Sequence, residues 1–222
     1  MIFPPGHHSR RRPSWFHVPA AALLLAGLFT PAGGCARAPL ELDCTPVGAG
    51  ELAVTEVRGP QGGADTWGQW IEIANTTGRA LNLAGLTVNL RKLDGSGEHD
   101  LVVRDRQLVL DAGGYFVMGR FPADPGGLPG WVDWGYEDDF AGDLYSDAII
   151  EVRSCGELVD RLVWRNLPGA GSWSYDGNLT PDAAGNDDDA AWCVDDTPAA
   201  VDDGGTQAGL PGTPREANHP CP

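Results

Sequence analysis

Acidic side chains at regular spacing are the first residues in this chain that could do chemistry. Asp176 and Asn178, followed by Asp182, Asn186, Asp187 and Asp188, place side-chain oxygens at alternating positions, the donor type that calcium takes. Against the EF-hand loop the stretch fails twice. Pro181 stands where a glycine must turn the chain, and Asp187 where a bidentate glutamate is needed. The expectation is a looser calcium site drawing on Asp176, Asn178, Asp187 and Asp188, or else a hydrated acidic loop. Asp138, Asp139 and Asp143 form a second cluster of the same kind.

Other candidates are weaker. Glu56 and Glu72 lie within apolar stretches and have the look of a paired-carboxylate acid–base site. A strand residue facing solvent accounts for each of them equally well, so no catalytic residue is assigned. Trp131, Trp134 and Tyr136 lie close together in a loop rich in Gly, Pro and Asp. They suit stacking on a sugar ring or anchoring an interface, and equally a lid folded back on the domain. Ser172 lacks the strand-to-helix turn of a nucleophile elbow, and His99 and His219 occur in unrelated contexts. No zinc-protease, phosphate-binding or dinucleotide-binding motif is present. The chain is read as non-catalytic.

Those candidates must be positioned by short strands. Of 222 residues, 31 are Gly and 18 are Pro, and they fall between short apolar runs rather than within helix-period segments. The alternation predicts strands at 52–57, 70–75, 81–90, 101–103, 108–110, 115–118, 148–152, 158–164 and near 173–175. Ser154-Cys155-Gly156 is the turn of a hairpin. Gly85, Gly113 and Gly114 are read as turn positions with unusual backbone angles. Turns every 8–12 residues point to an all-β sandwich.

The N-terminus has a different character. Arg10-Arg11-Arg12, an apolar run from Val18 to Phe29, and the small residues Ala32-Gly33-Gly34 have the three-part layout of an export signal. The run is shorter than the roughly 20 apolar residues that span a bilayer. Small residues directly before Cys35 resemble the lipobox of bacterial lipoproteins. That resemblance implies cleavage after residue 34, acylation of Cys35, and, because Ala36 follows, retention at the outer membrane. Ala36-Arg37-Ala38 offers an ordinary cleavage site whose product would be secreted and soluble. The resulting division is a signal at 1–34, a short tether at 35–50 and one domain at 51–222.

Removing the signal takes three of the 15 basic residues and none of the 31 acidic ones, leaving 12 against 31, a net charge of −19. Such a surface repels phosphate backbones, so nucleic acid is excluded as a partner. Cys44, Cys155, Cys193 and Cys221 remain, an even number that in an exported chain reads as two disulfides. Three connectivities are open, of which Cys193–Cys221 with Cys44–Cys155 is the favoured expectation. The 28-residue loop closed in this way would contribute roughly 3 kcal/mol.

Five stretches resemble lamin-tail domains: Leu52-Ala53-Val54-Thr55-Glu56-Val57, Trp70-Ile71-Glu72-Ile73-Ala74-Asn75, Leu81-Asn82-Leu83-Ala84-Gly85-Leu86, Leu110-Asp111-Ala112-Gly113-Gly114-Tyr115, and Gly212-Thr213-Pro214 ahead of Asn218. The resemblance spans about residues 50–220 and implies an immunoglobulin-like β-sandwich. Function is then expected from a binding or structural module for an envelope protein or glycan, with a calcium-dependent adhesive module or a secreted hydrolase as alternatives.

Overall fold

The computed structural model describes residues 44–124, 126–198 and 209–222. The signal segment and Cys35 lie outside the described residues. Among the described residues twelve strands form: β1 (Leu52–Arg58), β2 (Trp70–Asn75), β3 (Leu81–Asn82), β4 (Thr87–Lys92), β5 (His99–Val102), β6 (Val109–Leu110), β7 (Tyr115–Gly119), β8 (Trp134–Gly135), β9 (Ala148–Ser154), β10 (Glu157–Trp164), β11 (Ser172–Tyr175) and β12 (Trp192–Asp195). The helical elements among the described residues are two single 3-10 turns, Gly185–Asp187 and Asp189–Ala191.

The strands make an all-β sandwich. One sheet has six strands in the order β12-β11-β1-β2-β7-β8, and the other has four in the order β10-β9-β4-β5. Neighbours run antiparallel except β7 and β8, which are parallel. A two-stranded ladder of β3 and β6 closes one end. Val54, Ile71, Ile73, Phe116 and Met118 of the larger sheet share one apolar core with Val88, Leu90, Leu101, Ile150, Val152 and Leu162 of the smaller. Each such side chain taken from water contributes about 1.5–3 kcal/mol. The β9–β10 hairpin lies where the sequence places one, at 154–156, with Ser154 already paired in β9 and a two-residue turn: Cys155 and Gly156 both have positive φ, 51° and 85°, as a primed turn requires.

A bulge in β1 decides what the outer face of the six-stranded sheet carries. Val54 pairs with Ile73 and Glu56 with Glu72, so Thr55 is an extra residue. Strict alternation would send Glu56 into the core with Leu52 and Val54. The inserted residue reverses the phase: Val57 points inward and Glu56 and Arg58 outward. Side chains satisfy the irregular backbone around it. Asp160 Oδ2 accepts from Val54 N (2.7 Å), Asn186 Nδ2 donates to Val54 O (3.1 Å), and Asn218 Nδ2 donates to Thr55 O (2.8 Å).

The outer face is covered, contrary to the expectation that Glu56 and Glu72 look into solvent. Trp70, Val117, Trp131, Val132 and Leu210 form a second apolar cluster there, and the C-terminal stretch crosses beside it. The last seven residues of the expected tether are also docked. Thr45 N donates to Ala84 O (3.1 Å), Val47 N to Ser154 Oγ (3.1 Å) and Gly50 N to Val159 O (2.8 Å), and Val47 joins the main core.

Candidate functional site

A buried polar arrangement lies between the six-stranded sheet and the C-terminal strap, residues 209–219. Glu56 and Glu72 are register partners on adjacent strands, and neither side chain has any solvent exposure. Glu56 accepts from Ser172 Oγ, from Ser174 Oγ (3.2 Å) and from Thr213 N (3.3 Å to each oxygen). Glu72 accepts from Thr55 Oγ1 (2.8 Å) and Arg215 N (2.7 Å). The strap thus reaches both carboxyl groups through its own backbone. To aim its N–H at Glu72, Arg215 adopts φ 69°, a left-handed conformation unusual for a side chain of that size. Asn218 completes the clamp: its Nδ2 bridges Thr55 O and Tyr175 O (2.8 Å each), and its Oδ1 accepts from Thr213 Oγ1 (2.9 Å).

No ion pair joins either glutamate to a cation among the described residues. Burial pushes the Glu56 carboxyl up to about 7 against the pull of Ser172 and Thr213, with the Asp195 charge adding to the rise. Burial also raises Glu72 well above the ordinary carboxylate range, and the neighbouring Glu56 and Asp133 charges raise it further. Two adjacent buried carboxyls of this kind favour the neutral form because an anion there loses its hydration. Such a pair has the inventory for proton transfer. It has no access for a substrate, and each oxygen is engaged by structural donors.

Beside the strap lies a groove of about 220 Å³. Leu83, Leu110 and Phe116 line it together with Tyr115 and the exposed Val109. Asp133 and Arg215 stand at its polar side, 3.5 Å apart. Arg215 is shared between groove and strap, and its Nη1 also donates to Gly130 O (2.8 Å). A smaller hollow lined by Thr55, Tyr175 and Asn218 also adjoins the buried pair.

The aromatic residues expected as a contact surface are buried. Trp131 and Trp134 retain 1% and 7% exposure and Tyr136 none. Their loop returns as β8 beside β7, with Asp133 N on Val117 O (3.0 Å) and Tyr136 N on Gly119 O (3.0 Å). Trp131 meets Trp70 edge-on at 4.9 Å, while Trp134 and Tyr136 enter the main core. Of the two readings for these side chains, the geometry is that of the lid, and none is free to stack on a sugar. The acidic stretch is spent on turns: Asp176 Oδ1 accepts from Asn178 N (2.9 Å) and Cys221 N (3.0 Å), and Asp188 Oδ1 from Ala190 N (3.0 Å). Asp187 is exposed in the first 3-10 turn. Among the described residues no group of three or more His, Cys, Asp or Glu side chains is placed to hold a metal ion. The second acidic cluster is divided between arginines. Asp139 pairs with Arg104 (2.6 Å), and Asp143 with Arg120.

The four cysteines form Cys44–Cys155 and Cys193–Cys221, the expected connectivity. His219 Nδ1 lies 2.7 Å from Asp195 Oδ2 and fastens the end of the strap to β12. A scan against protein-family models finds no match, and a search of curated proteins finds no relative.

Proposed function

We propose that this chain is a bacterial cell-envelope lipoprotein. Its single lamin-tail-like sandwich, of the immunoglobulin-like type, acts as a non-catalytic binding or structural module for an envelope protein or glycan. Acylated Cys35 tethers it to the outer membrane. The observation that carries this reading is the Cys44–Cys155 disulfide, which fastens the chain to the domain nine residues beyond Cys35. Two disulfides suit an oxidising compartment, and a staple so close to a lipidated cysteine would seat the domain directly at the membrane surface.

The five stretches behind the lamin-tail resemblance also meet in space, which supports that reading. β1 and β2 pair directly. Asn75 Nδ2 donates to Asp111 O (2.8 Å) and Leu110 O (3.3 Å), and Leu81 pairs with Leu110. Gly212-Thr213 sits on Glu56, and Asn218 on the β1 bulge. With the tryptophans buried, the groove beside Tyr115, Val109 and Arg215 is the surface we assign to a partner.

Intact mass of the protein drawn from the membrane fraction of an exporting bacterial host tests the proposal. The expected result is a diacylglyceryl adduct on Cys35, with four further cysteines alkylated only after reduction. A soluble product beginning after Ala38 would overturn the lipoprotein assignment.

A further inference from the structure

The strap is attached through two buried carboxyl groups, and it is closed at both ends. Pro198 and Pro211 form a bridge at its start. Cys193–Cys221 and the His219–Asp195 contact hold its finish. Between them Thr213 N, Arg215 N and Leu210 contact the outer face of the sheet. We propose that residues 209–219 are a proton-operated latch, closed over the six-stranded sheet when Glu56 and Glu72 carry protons and loosened when both are ionised.

The surroundings supply the asymmetry. The charged groups that raise the two carboxyls are anions: Asp195 of β12 toward Glu56, and Glu56 and Asp133 toward Glu72. The cations nearby are committed elsewhere. Arg58 of β1 holds Asp65 in a bidentate pair (3.0 and 2.9 Å) and lies over Trp70. Arg215 of the strap is turned to Asp133 and Gly130 O, and His219 to Asp195. Ser172 and Ser174 of β11 bring no charge, Tyr115 of β7 is a neutral phenol, and Glu216 of the strap is exposed. A second buried anion therefore has hydrogen-bond donors but no counter-charge.

With the carboxyls protonated, Glu56 O–H can donate to Ser172 Oγ, whose own proton turns to Ser174 Oγ (3.0 Å) or Asp195 O (3.4 Å). Glu72 O–H faces Thr55 Oγ1 at 2.8 Å, an oxygen able to accept it. On opening, each carboxyl O–H bond ionises and its proton passes to water, leaving a hydrated carboxylate; no other covalent bond changes. Opening relieves the pair by admitting water, and it bares Trp70, Val117 and Trp131 where Leu210 had covered them. The disulfide keeps the opened strap beside its seat, so reclosure is intramolecular and fast. This device does not depend on the lipoprotein assignment.

Amide hydrogen exchange of the oxidised full chain at pH 5.5 and pH 8, corrected for intrinsic rates, tests it. Protection of the Thr213 and Arg215 amides should fall at least about tenfold at the higher pH, the change that one unit of linkage produces. Protection at Ile73 and Ile150, each in a strand paired on both sides, should hold. Glu56→Gln combined with Glu72→Gln should leave the strap amides protected equally at both values. If that variant does not fold, the carboxyl carbon titrations of Glu56 and Glu72 in the unaltered protein must share the midpoint of the exchange change. Constant protection of the strap, a pH response that survives the double substitution, or midpoints that do not coincide would each overturn the latch.

Discussion

Gly212 brings the strap backbone close against the sheet. Its φ is 102°, and a methyl group on its Cα would overlap the Glu56 carboxylate and the Ser172 hydroxyl. Both effects act against any other residue there. Gly212→Ala should therefore cost about 1–3 kcal/mol, read as a lowered urea midpoint with an unchanged slope. A variant as stable as the parent would mean that the strap does not sit where described. The same close approach accounts for a glycine in the Gly-Thr-Pro stretch, whose place in the sequence was legible before its reason was. Gly113 has the positive φ its turn was read to need (67°), whereas Gly114 is needed for space. A Cβ there would lie 3.2 Å from Asp111 O and from Leu110 Cδ1. The phase reversal at Thr55 was also written in the chain, because the core positions Leu52, Val54 and Val57 are spaced two and then three apart. What no local pattern could give was the cover on Glu56 and Glu72. It comes from residues more than 140 positions away from Glu72, joined to it by a backbone N–H that carries no side-chain signal.

At the scale of elements, long apolar alternations were legible and short strands built by tertiary pairing were not. β1, β2, β7, β9 and β10 lie where alternation puts them. β8 has two residues, and it exists because Asp133 and Tyr136 on either side of it donate backbone bonds to the carbonyls of β7. β12 is a four-residue strand pairing with β11 beyond the last strand that alternation predicts. Trp192 stacks on Trp173 at 4.3 Å and joins the main core, a placement that tertiary pairing supplies. The two disulfides staple different elements, and their loops differ in length, with sequence separations of 111 for Cys44–Cys155 and 28 for Cys193–Cys221. Loop-closure entropy in the unfolded chain then predicts losses of roughly 5 and 3.5 kcal/mol on removal. Thermal or urea unfolding of Cys44→Ala/Cys155→Ala should show the larger loss, and Cys193→Ala/Cys221→Ala the smaller. The reverse order would mean that the strap disulfide holds native structure beyond its share of chain entropy.

For the whole molecule, two electrostatic effects point the same way with pH and can be separated by salt. Glu56 is raised to about 7, and Glu72 is raised as well. A carboxyl whose folded value lies above its unfolded value near 4.5 binds more protons when folded. Its contribution is complete below about 4.5 and is lost as pH rises through the folded value. The formal net charge of −16 adds self-repulsion that also grows with pH above the isoelectric point near 4.4. Glu151 acts oppositely. Arg91 and Arg153 hold it down to about 2, so its contribution is present above 4.5 and is lost only as pH falls toward 2. Stability should therefore decline from pH 5.5 to pH 8, and the two causes part under salt. About 0.5 M NaCl shortens the screening length to roughly 4 Å and suppresses repulsion across the surface. It leaves the buried pair largely unscreened. The melting temperature should keep a fall between pH 5.5 and pH 8 in high salt, and Glu56→Gln with Glu72→Gln should abolish what remains. If salt alone flattens the profile, the acidic surface governs the pH response and the buried carboxyls contribute little to it.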